Sequence, residues 1–251
     1  MSKDLSIIIP SINPDRWIGI CKGVASSVSN SLSYEIIFVG PRSNETAIDN
    51  VTFIEDFGCP SRALQIGVES SVGEIICWLP DDVILDEAAL FKCVELLRTK
   101  SDNDGVTLRY DEGPNHQSDD ASYWVAWTHT DLRCAGVDKE WKIAPVFMYK
   151  RKHFVDVGGI DCALEHVNMN AHSLAFYTQG IGGTIHQSPT RVFTCGWEHP
   201  AQDNPIFRAY HENDLPRFQV LWSLPDAVSR YKVPFDNWKS IPAIWPRRKR
   251  N

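Results

Sequence analysis

The chain has 251 residues, of which 43% are hydrophobic and 23% are charged, and this composition excludes a disordered chain, a collagen-like repeat and a disulfide-stabilised miniprotein. The formal net charge of -7 argues against a broad nucleic-acid-binding surface, and no apolar run approaches the roughly 18 residues that a membrane-spanning helix needs. Seven scattered cysteines without a Cys-x-x-Cys pair predict reduced, mostly buried thiols and no zinc site. We therefore expect a cytoplasmic protein without an integral membrane segment.

The first hundred residues alternate between predicted strands and predicted helices. Continuous β-branched and apolar runs predict buried strands over residues 5–10, 34–39, 51–54 and 75–79. Helical patterns begin at Pro14, cover residues 60–71, and follow Asp86, which we expect to cap the third helix. This order predicts an α/β fold whose mostly parallel central sheet is flanked by helices. Ligands of such sheets bind at the carboxyl ends of the strands.

The second half of the chain is less regular and richer in aromatic residues. A polar loop is predicted over residues 111–120, a strand over 146–149, and a short helix over 151–157 that is closed by Gly158. We predict one domain over residues 1–195 and an irregular C-terminal extension, residues 196–251, packed on the same domain. The extension ends in a basic tail, residues 247–250, which we interpret as a solvated terminus. The alternative is a weak contact with an anionic membrane surface or a polyanionic acceptor.

An apolar strand that ends in two adjacent carboxylates is the most informative stretch of the sequence. Asp81 and Asp82 follow the strand over residues 75–79, so they lie at the ligand-binding edge of the predicted sheet. One carboxylate can then face a nucleotide while the other binds a divalent cation together with the phosphate oxygens of a substrate. The alternative is a polar turn in which both carboxylates only cap the next helix.

Four motifs in a fixed order resemble the family 2 glycosyltransferases of the GT-A fold. They are an opening strand and Pro-x-x-Asn turn (5–13), a helix start before a Gly-Glu-Ile-Ile strand (60–63 and 73–76), Leu-Pro-Asp-Asp at the family's Asp-x-Asp site (79–82), and a segment ending in Gly-Gly-Ile-Asp (144–161). The resemblance covers about residues 4–195. It implies a GT-A fold and transfer of a hexosyl or pentosyl group from a nucleoside-diphosphate sugar to a hydroxyl acceptor. It also implies a Mn²⁺ or Mg²⁺ cofactor and inversion at the sugar.

The resemblance implies roles for particular residues of this chain. Its donor-binding residues would be Pro10, Ser11, Ile12, Arg62 and Asp81. Asp82 would bind the metal ion with the diphosphate, and the metal would make the diphosphate a better leaving group. The forked guanidinium of Arg62 suits a phosphate group, whereas the alternative is a surface cation on a helix.

The sequence departs from the family pattern at the end of the second strand. The family usually has an acidic residue there that recognises the base, but residues 40–43 are Gly-Pro-Arg-Ser. In one alignment, Pro80 also replaces the first carboxylate of the Asp-x-Asp motif. These two differences leave the donor base and the strictness of metal dependence open.

The catalytic base is the second departure, because an inverting transferase needs a carboxylate that deprotonates the acceptor hydroxyl. Strict family spacing leads to Asn170 and Ala171, which cannot act as bases. The nearest carboxylates are Glu165, which we expect to be the base, and Asp161. The alternative is that Glu165 caps the following helix or forms a salt bridge with it.

Histidine and tryptophan residues downstream supply further candidates. His199 would bind the metal or the diphosphate, with His186 as the weaker candidate, although lone histidines are often structural. The predicted acceptor-binding residues are Trp124, Trp127 and Trp197, which can stack on a sugar ring or simply belong to the core.

Two other functions remain open at this stage. A catalytically silent module that binds nucleotide sugars is the main alternative, because the expected Glu-Asp pair is missing. A sugar-phosphate nucleotidyltransferase is disfavoured because residues 11–14 contain neither glycine nor lysine. We do not expect nucleic acid as a partner.

Overall fold

A computed structural model describes most of the chain, namely residues 2–43, 47–112, 136, 140–195 and 204–250. Its strands are β1 (Lys3–Pro10), β2 (Tyr34–Gly40), β3 (Val51–Glu55), β4 (Gly73–Trp78), β5 (Val83–Leu85), β6 (Gly105–Glu112), β7 (Phe147–Lys150) and β8 (Ile185–Cys195). Its α-helices are α1 (Trp17–Val28), α2 (Pro60–Ser70), α3 (Ala89–Arg98), α4 (Arg151–Val157), α5 (Val167–Gly180), α6 (Pro205–Ala209), α7 (Leu215–Trp222) and α8 (Ala227–Arg230).

The eight strands form one sheet in the order β3-β2-β1-β4-β7-β6-β8-β5. β1 pairs in parallel with β2 and β4, and β2 pairs in parallel with β3. β7 is antiparallel to both of its neighbours, so β6 and β8 run in the same direction as β4. The predicted α/β fold with a mostly parallel sheet is therefore confirmed. The carboxyl ends of six strands lie at one edge of this sheet.

The core explains why these segments form these elements. Residues 5–9 of β1 are fully buried, as a β-branched run between two layers of helices requires. Trp17 of α1 stacks on Phe38 of β2 with ring centroids 4.2 Å apart. In the C-terminal part, Trp222 is buried in the same core and donates from Nε1 to the Ser173 hydroxyl at 3.0 Å.

The start of the third helix differs from the sequence prediction. The prediction that Asp86 caps this helix is wrong, because α3 begins after Ala88, which has φ of 53° and makes no side-chain capping bond. The Asp86 carboxylate instead binds the Arg191 guanidinium of β8 at 2.8 and 3.1 Å. The sequence analysis also missed β5, because a strand of three residues is too short to show an alternation of apolar and polar residues.

The short helix after β7 was predicted correctly. α4 ends at Gly158, which has φ of 91°, and a side chain there would meet the carbonyl oxygen of Val233 at 1.7 Å. Only glycine accepts both the left-handed backbone and this close approach.

The described cysteines agree with the prediction of reduced, buried thiols. Cys21, Cys59, Cys77, Cys93, Cys162 and Cys195 are free and buried, and Cys134 lies outside the described residues. Burial raises the pKa of the Cys59 thiol to about 12, which makes it unreactive at neutral pH. No described helix has both the length and the apolar character that crossing a bilayer requires.

Candidate functional site

The carboxyl ends of β1 and β4 are joined by the carboxylate of Asp81. Its Oδ2 atom accepts hydrogen bonds from the Ser11 hydroxyl at 2.9 Å, the Ile12 amide at 3.1 Å and the Asn13 side chain at 3.3 Å. The Ser11 hydroxyl in turn accepts from Trp17 Nε1 at 2.9 Å. Because one oxygen of Asp81 receives all three bonds, the turn after β1 is fixed and the other oxygen has no described partner. The structure thus brings together four of the predicted site residues: Pro10, Ser11, Ile12 and Asp81.

The end of β2 lies against this turn and has no room for a side chain at its last residue. A Cβ atom on Gly40 would lie 1.8 Å from the carbonyl oxygen of Ser11. The Ser11 amide also donates to the carbonyl of Val39 at 2.9 Å, which holds the two strand ends together. This close approach excludes an acidic residue at position 40.

Asp82 is a half-buried carboxylate beside Asp81. Burial is the main cause that raises the pKa of Asp82, and the negative charge of Asp81 raises it further. The positive charge of Arg16 lowers it in part. A bound cation would relieve the repulsion between the two carboxylates.

A single hard oxygen donor of this kind suits Mg²⁺ or Mn²⁺, which bind one or two protein carboxylates and complete their shell with phosphate oxygens and water. Among the described residues, no group of three or more His, Cys, Asp and Glu side chains is placed to hold a metal ion. The chemistry of Asp82 therefore fits an ion shared with a substrate.

Glu165 precedes α5 and is bound by the C-terminal tail. Its carboxylate accepts from Arg247 Nε at 2.9 and 3.0 Å and from Trp245 Nε1. Its carbonyl accepts from the Ser61 amide at the start of α2 at 3.1 Å, which places Glu165 beside the loop that follows β3. Arg247 also pairs with Glu212. The interpretation of the tail as a solvated terminus is therefore wrong for Arg247.

A buried carboxylate that the sequence analysis missed positions Glu165. Asp214 is fully buried and accepts from the backbone amides of Glu165 at 2.7 Å and His166 at 2.5 Å. Burial raises the pKa of Asp214 to about 6, although these hydrogen bonds favour its charged form. It ends a π-helical turn, Tyr210–Asp214, directly before α7.

Asp161 is the remaining candidate for the catalytic base, and Asn170 is the residue that strict family spacing selects. Asp161 is partly exposed, and its carboxylate accepts from the Ala163 amide at 2.9 Å. Asn170, to which strict family spacing leads, is fully buried and donates to the Ser61 hydroxyl at 2.8 Å.

Arg62 is a buried side chain of α2 that contacts the C-terminal segment. It is only 6% exposed, so the surface-cation alternative is wrong. Its Nε donates to Asp56 at 3.0 Å, its Nη1 donates to the carbonyls of Trp238 and Ile241, and it lies 4.8 Å from the Trp238 ring centroid. These contacts attach the C-terminal segment to α2. Nucleotide binding by Arg62 stays a prediction.

Of the remaining predicted residues, the structure describes His186, and it lies away from this edge. His186 pairs with Asp104 at 3.0 Å near the amino ends of β6 and β8, at the opposite edge of the sheet. His199, Trp124, Trp127 and Trp197 lie outside the described residues.

The fold that this strand order and carboxyl edge describe is similar to that of solved structures. A crystal structure of S. aureus TarS superposes with a TM-score of 0.56 at 14% identity, over 77% of this chain and 37% of that chain. The structure of TarS 1–349 gives 0.60 at 14% identity over 94% of this chain and 71% of that one, and its complex with UDP gives 0.60 at 12% over 87% and 64%.

The present chain covers 37% of the length of the first of these TarS structures. No family model and no curated protein matches the sequence. At these identities the likeness concerns the fold.

Proposed function

We propose that the protein is a glycosyltransferase that moves a hexosyl or pentosyl group from a nucleoside-diphosphate sugar to a hydroxyl acceptor. The observation that carries the proposal is the Asp81 carboxylate, which fixes the turn after β1 at the ligand-binding edge and keeps one oxygen without a partner among the described residues. The likeness to a structure solved with UDP supports a nucleoside-diphosphate donor.

In this proposal the donor lies across the ends of β1 and β4. The free oxygen of Asp81 accepts from a ribose hydroxyl, and Pro10, Ser11 and Ile12 line the base and ribose. Ile12 is half exposed at this edge, which leaves its side chain accessible to a planar base. Arg62 is the fifth predicted donor residue, and to reach a phosphate it would have to leave Asp56.

The proposed metal site consists of Asp82 and the donor diphosphate. A bound Mn²⁺ or Mg²⁺ would neutralise the diphosphate as it leaves. Asp82 would hold the ion, and the repulsion from Asp81 is the feature that supports this role. His199 remains the proposed additional ligand, and Trp124, Trp127 and Trp197 remain the proposed acceptor contacts.

Glu165 is the proposed base of an inverting reaction, with Asp161 as the alternative. Both oxygens of Glu165 accept hydrogen bonds from Arg247, and one also accepts from Trp245, so an acceptor hydroxyl would use a remaining lone pair of this carboxylate. The positive charge of Arg247 favours the ionised form that a base needs.

The test is release of nucleoside diphosphate by the purified chain. UDP- and GDP-linked hexoses and pentoses are incubated with Mn²⁺ and a panel of saccharide and lipid-linked acceptors. Release that depends on both acceptor and donor supports the proposal. Absence of any donor-dependent release, together with absence of nucleotide binding in calorimetry, contradicts it.

A catalytically silent nucleotide-sugar-binding module is the second candidate. The observation that favours it is the engagement of Glu165 by Arg247 and Trp245. Binding of a nucleotide sugar without turnover on any acceptor, in the wild-type chain and in a variant with Arg247→Gln, would support this module over the enzyme.

A further inference from the structure

The π-helical turn Tyr210–Asp214 binds the backbone segment that carries the proposed base. The Asp214 carboxylate accepts from the Glu165 amide through Oδ1 at 2.7 Å and from the His166 amide through Oδ2 at 2.5 Å. Both carboxylate oxygens are therefore used, so a rotation of this group or of the Glu165 peptide breaks a hydrogen bond. Turns of this kind are rare and occur frequently at functional sites.

The preceding side chain of the same turn adds a second attachment. Asn213 donates from Nδ2 to the Ala163 carbonyl at 2.9 Å and to Asp214 Oδ1 at 2.7 Å. Residues 163–166 are thus bound by a turn that lies 48 to 50 positions later in the chain. The Glu165 side chain is bound separately by the C-terminal tail, so the turn fixes the backbone from which that side chain extends.

Asp214 is a buried carboxylate without a counter-cation. It is fully buried, and among the described residues its carboxylate accepts from three N–H donors and has no ion pair with a cation. Burial without a counter-charge disfavours the ionised form. It raises the pKa of Asp214 to about 6, and the negative charge of Glu165 contributes in the same direction. Asp214 therefore changes its charge in weakly acidic solution.

Other ionisable groups lie on the elements around this turn. They are Cys59 before α2, His166 before α5, Arg208 of α6, Tyr210, His211 and Glu212 of the turn itself, Arg217 of α7, and Arg247 of the tail. Burial raises the pKa of the Cys59 thiol to about 12 and lowers the pKa of His166 to about 4, so neither changes its charge near pH 6. Asp214 is the ionisable side chain that bonds to the Glu165 amide.

We propose that Asp214 is a pH-sensitive positioning residue for Glu165, and that protonation of Asp214 releases the Glu165 backbone and lowers turnover. A neutral carboxyl accepts weaker hydrogen bonds than a carboxylate, and one of its oxygens then carries a proton in place of a full acceptor charge. The effect on turnover rests on the proposed function, whereas the release of the Glu165 backbone does not.

The first test follows the Trp245 indole, which reports on Glu165 because its Nε1 donates to that carboxylate. Its ¹H–¹⁵N resonance, assigned with Trp245→Phe, is recorded from about pH 7.5 to about pH 5, on both sides of the expected protonation. We expect a shift with a midpoint at about pH 6 in wild type and none in Asp214→Asn. Glu165→Gln should keep this midpoint, which separates protonation of Asp214 from protonation of Glu165.

Asp104→Asn is the matched control for the loss of a buried carboxylate. Asp104 also accepts from a backbone amide, that of Thr184 at 2.9 Å, but it lies beside His186 at the opposite edge of the sheet. His211→Gln removes an exposed histidine of the turn and controls for its protonation. Both variants should keep the indole midpoint of wild type.

The second test measures turnover over the same pH range at saturating donor. In wild type, kcat should fall by about tenfold per pH unit below the midpoint, while the donor KM changes by less than about twofold. In Asp214→Asn, kcat should already be about tenfold lower at neutral pH and should lack the step near pH 6, because the amide leaves one backbone donor unpaired. Asp104→Asn should keep the wild-type kcat profile.

An indole midpoint near pH 6 that disappears in Asp214→Asn and persists in the other variants supports the inference. A midpoint that Asp214→Asn leaves unchanged, or a loss of kcat that is equal in Asp104→Asn, overturns it. If Asp214→Asn does not fold, wild type and Glu165→Gln decide, since absence of the shift in either overturns the inference. A chain without turnover contradicts the proposed function, and the indole resonance then tests this inference by itself.

Discussion

The guanidinium of Arg247 binds the carboxylate of Glu165 at 2.9 and 3.0 Å, across 82 residues of sequence. This ion pair closes the C-terminal tail over the segment that precedes α5. Trp245 donates to the same carboxylate, and Arg247 extends the network to Glu212. The proposed base is therefore bound by the C-terminal tail.

Replacing Glu165 by Gln separates a catalytic from a structural role of this ion pair. If Glu165 is the base, turnover falls by about 10²–10⁴-fold while donor binding changes little. Glu212→Gln is the matched control, since it removes the other carboxylate that pairs with Arg247. Steady-state kinetics and donor calorimetry provide the measurements. Equal losses of turnover in the two variants would show that the network is structural.

Replacing Asp82 by Ala tests the metal site. We expect loss of the Mn²⁺-dependent part of UDP binding, because Asp82 is the carboxylate that holds the ion in the proposed site. Since the pKa of Asp82 is raised, Mn²⁺ binding should weaken on acidification at a higher pH than an ordinary carboxylate would give. Calorimetry with and without Mn²⁺ measures both effects. Asp15→Asn, an exposed carboxylate in the turn before α1, is the control. UDP binding that responds to Mn²⁺ equally in wild type and Asp82→Ala would exclude this site.

Replacing Gly40 by Ala should damage both stability and the donor site. Its Cβ would lie 1.8 Å from the Ser11 carbonyl oxygen, so the end of β2 has to move, at a cost of about 1–3 kcal/mol. Urea unfolding and UDP binding are both measured. Gly19→Ala is the matched control, because its Cβ meets no atom within 4 Å in α1 and the change should stabilise by about 0.5–1 kcal/mol. A Gly40→Ala variant as stable as wild type would mean that the two strand ends are not in contact.

His153 should make the protein less stable in acid. It is 2% exposed and its ring bonds to the Thr178 hydroxyl at 2.8 Å, and burial lowers its pKa to about 4. The unfolded chain takes up the proton near the ordinary value of about 6.5, so the contribution is intact above that pH. It is lost as the pH falls from about 6.5 towards 4, by about 3 kcal/mol in total.

Urea unfolding between pH 7 and pH 4.5 measures this dependence. His153→Gln keeps a hydrogen-bonding side chain and should flatten the profile, whereas His211→Gln, an exposed histidine, should not. His166 shares the effect, because burial lowers its pKa to about 4 as well, so a residual slope is expected. A profile that is identical in wild type and His153→Gln would contradict the assignment to His153.

Much of the fold follows from local sequence. The β-branched run over residues 5–9 can be buried on both faces only in the middle of a sheet. Gly158 adopts a left-handed backbone conformation that is unfavourable for other residues. The alternation of such runs with amphipathic helices determines a parallel sheet and the edge at which Asp81 lies. These features depend on neighbours within a few residues of each other, so a reader of the sequence can find them.

The contacts at the candidate site depend instead on residues far apart in the chain. Arg62 suited a phosphate by its chemistry, but its burial against Asp56 and the Trp238 carbonyl is decided by packing of the C-terminal segment. The pairing of Glu165 with Arg247 and the support from Asp214 likewise have no local signature. The sequence alone determined most elements of the first hundred residues and the edge of the sheet that carries Asp81. Only the tertiary structure decided which charges neutralise one another, because that depends on distances between side chains that the chain brings together when it folds.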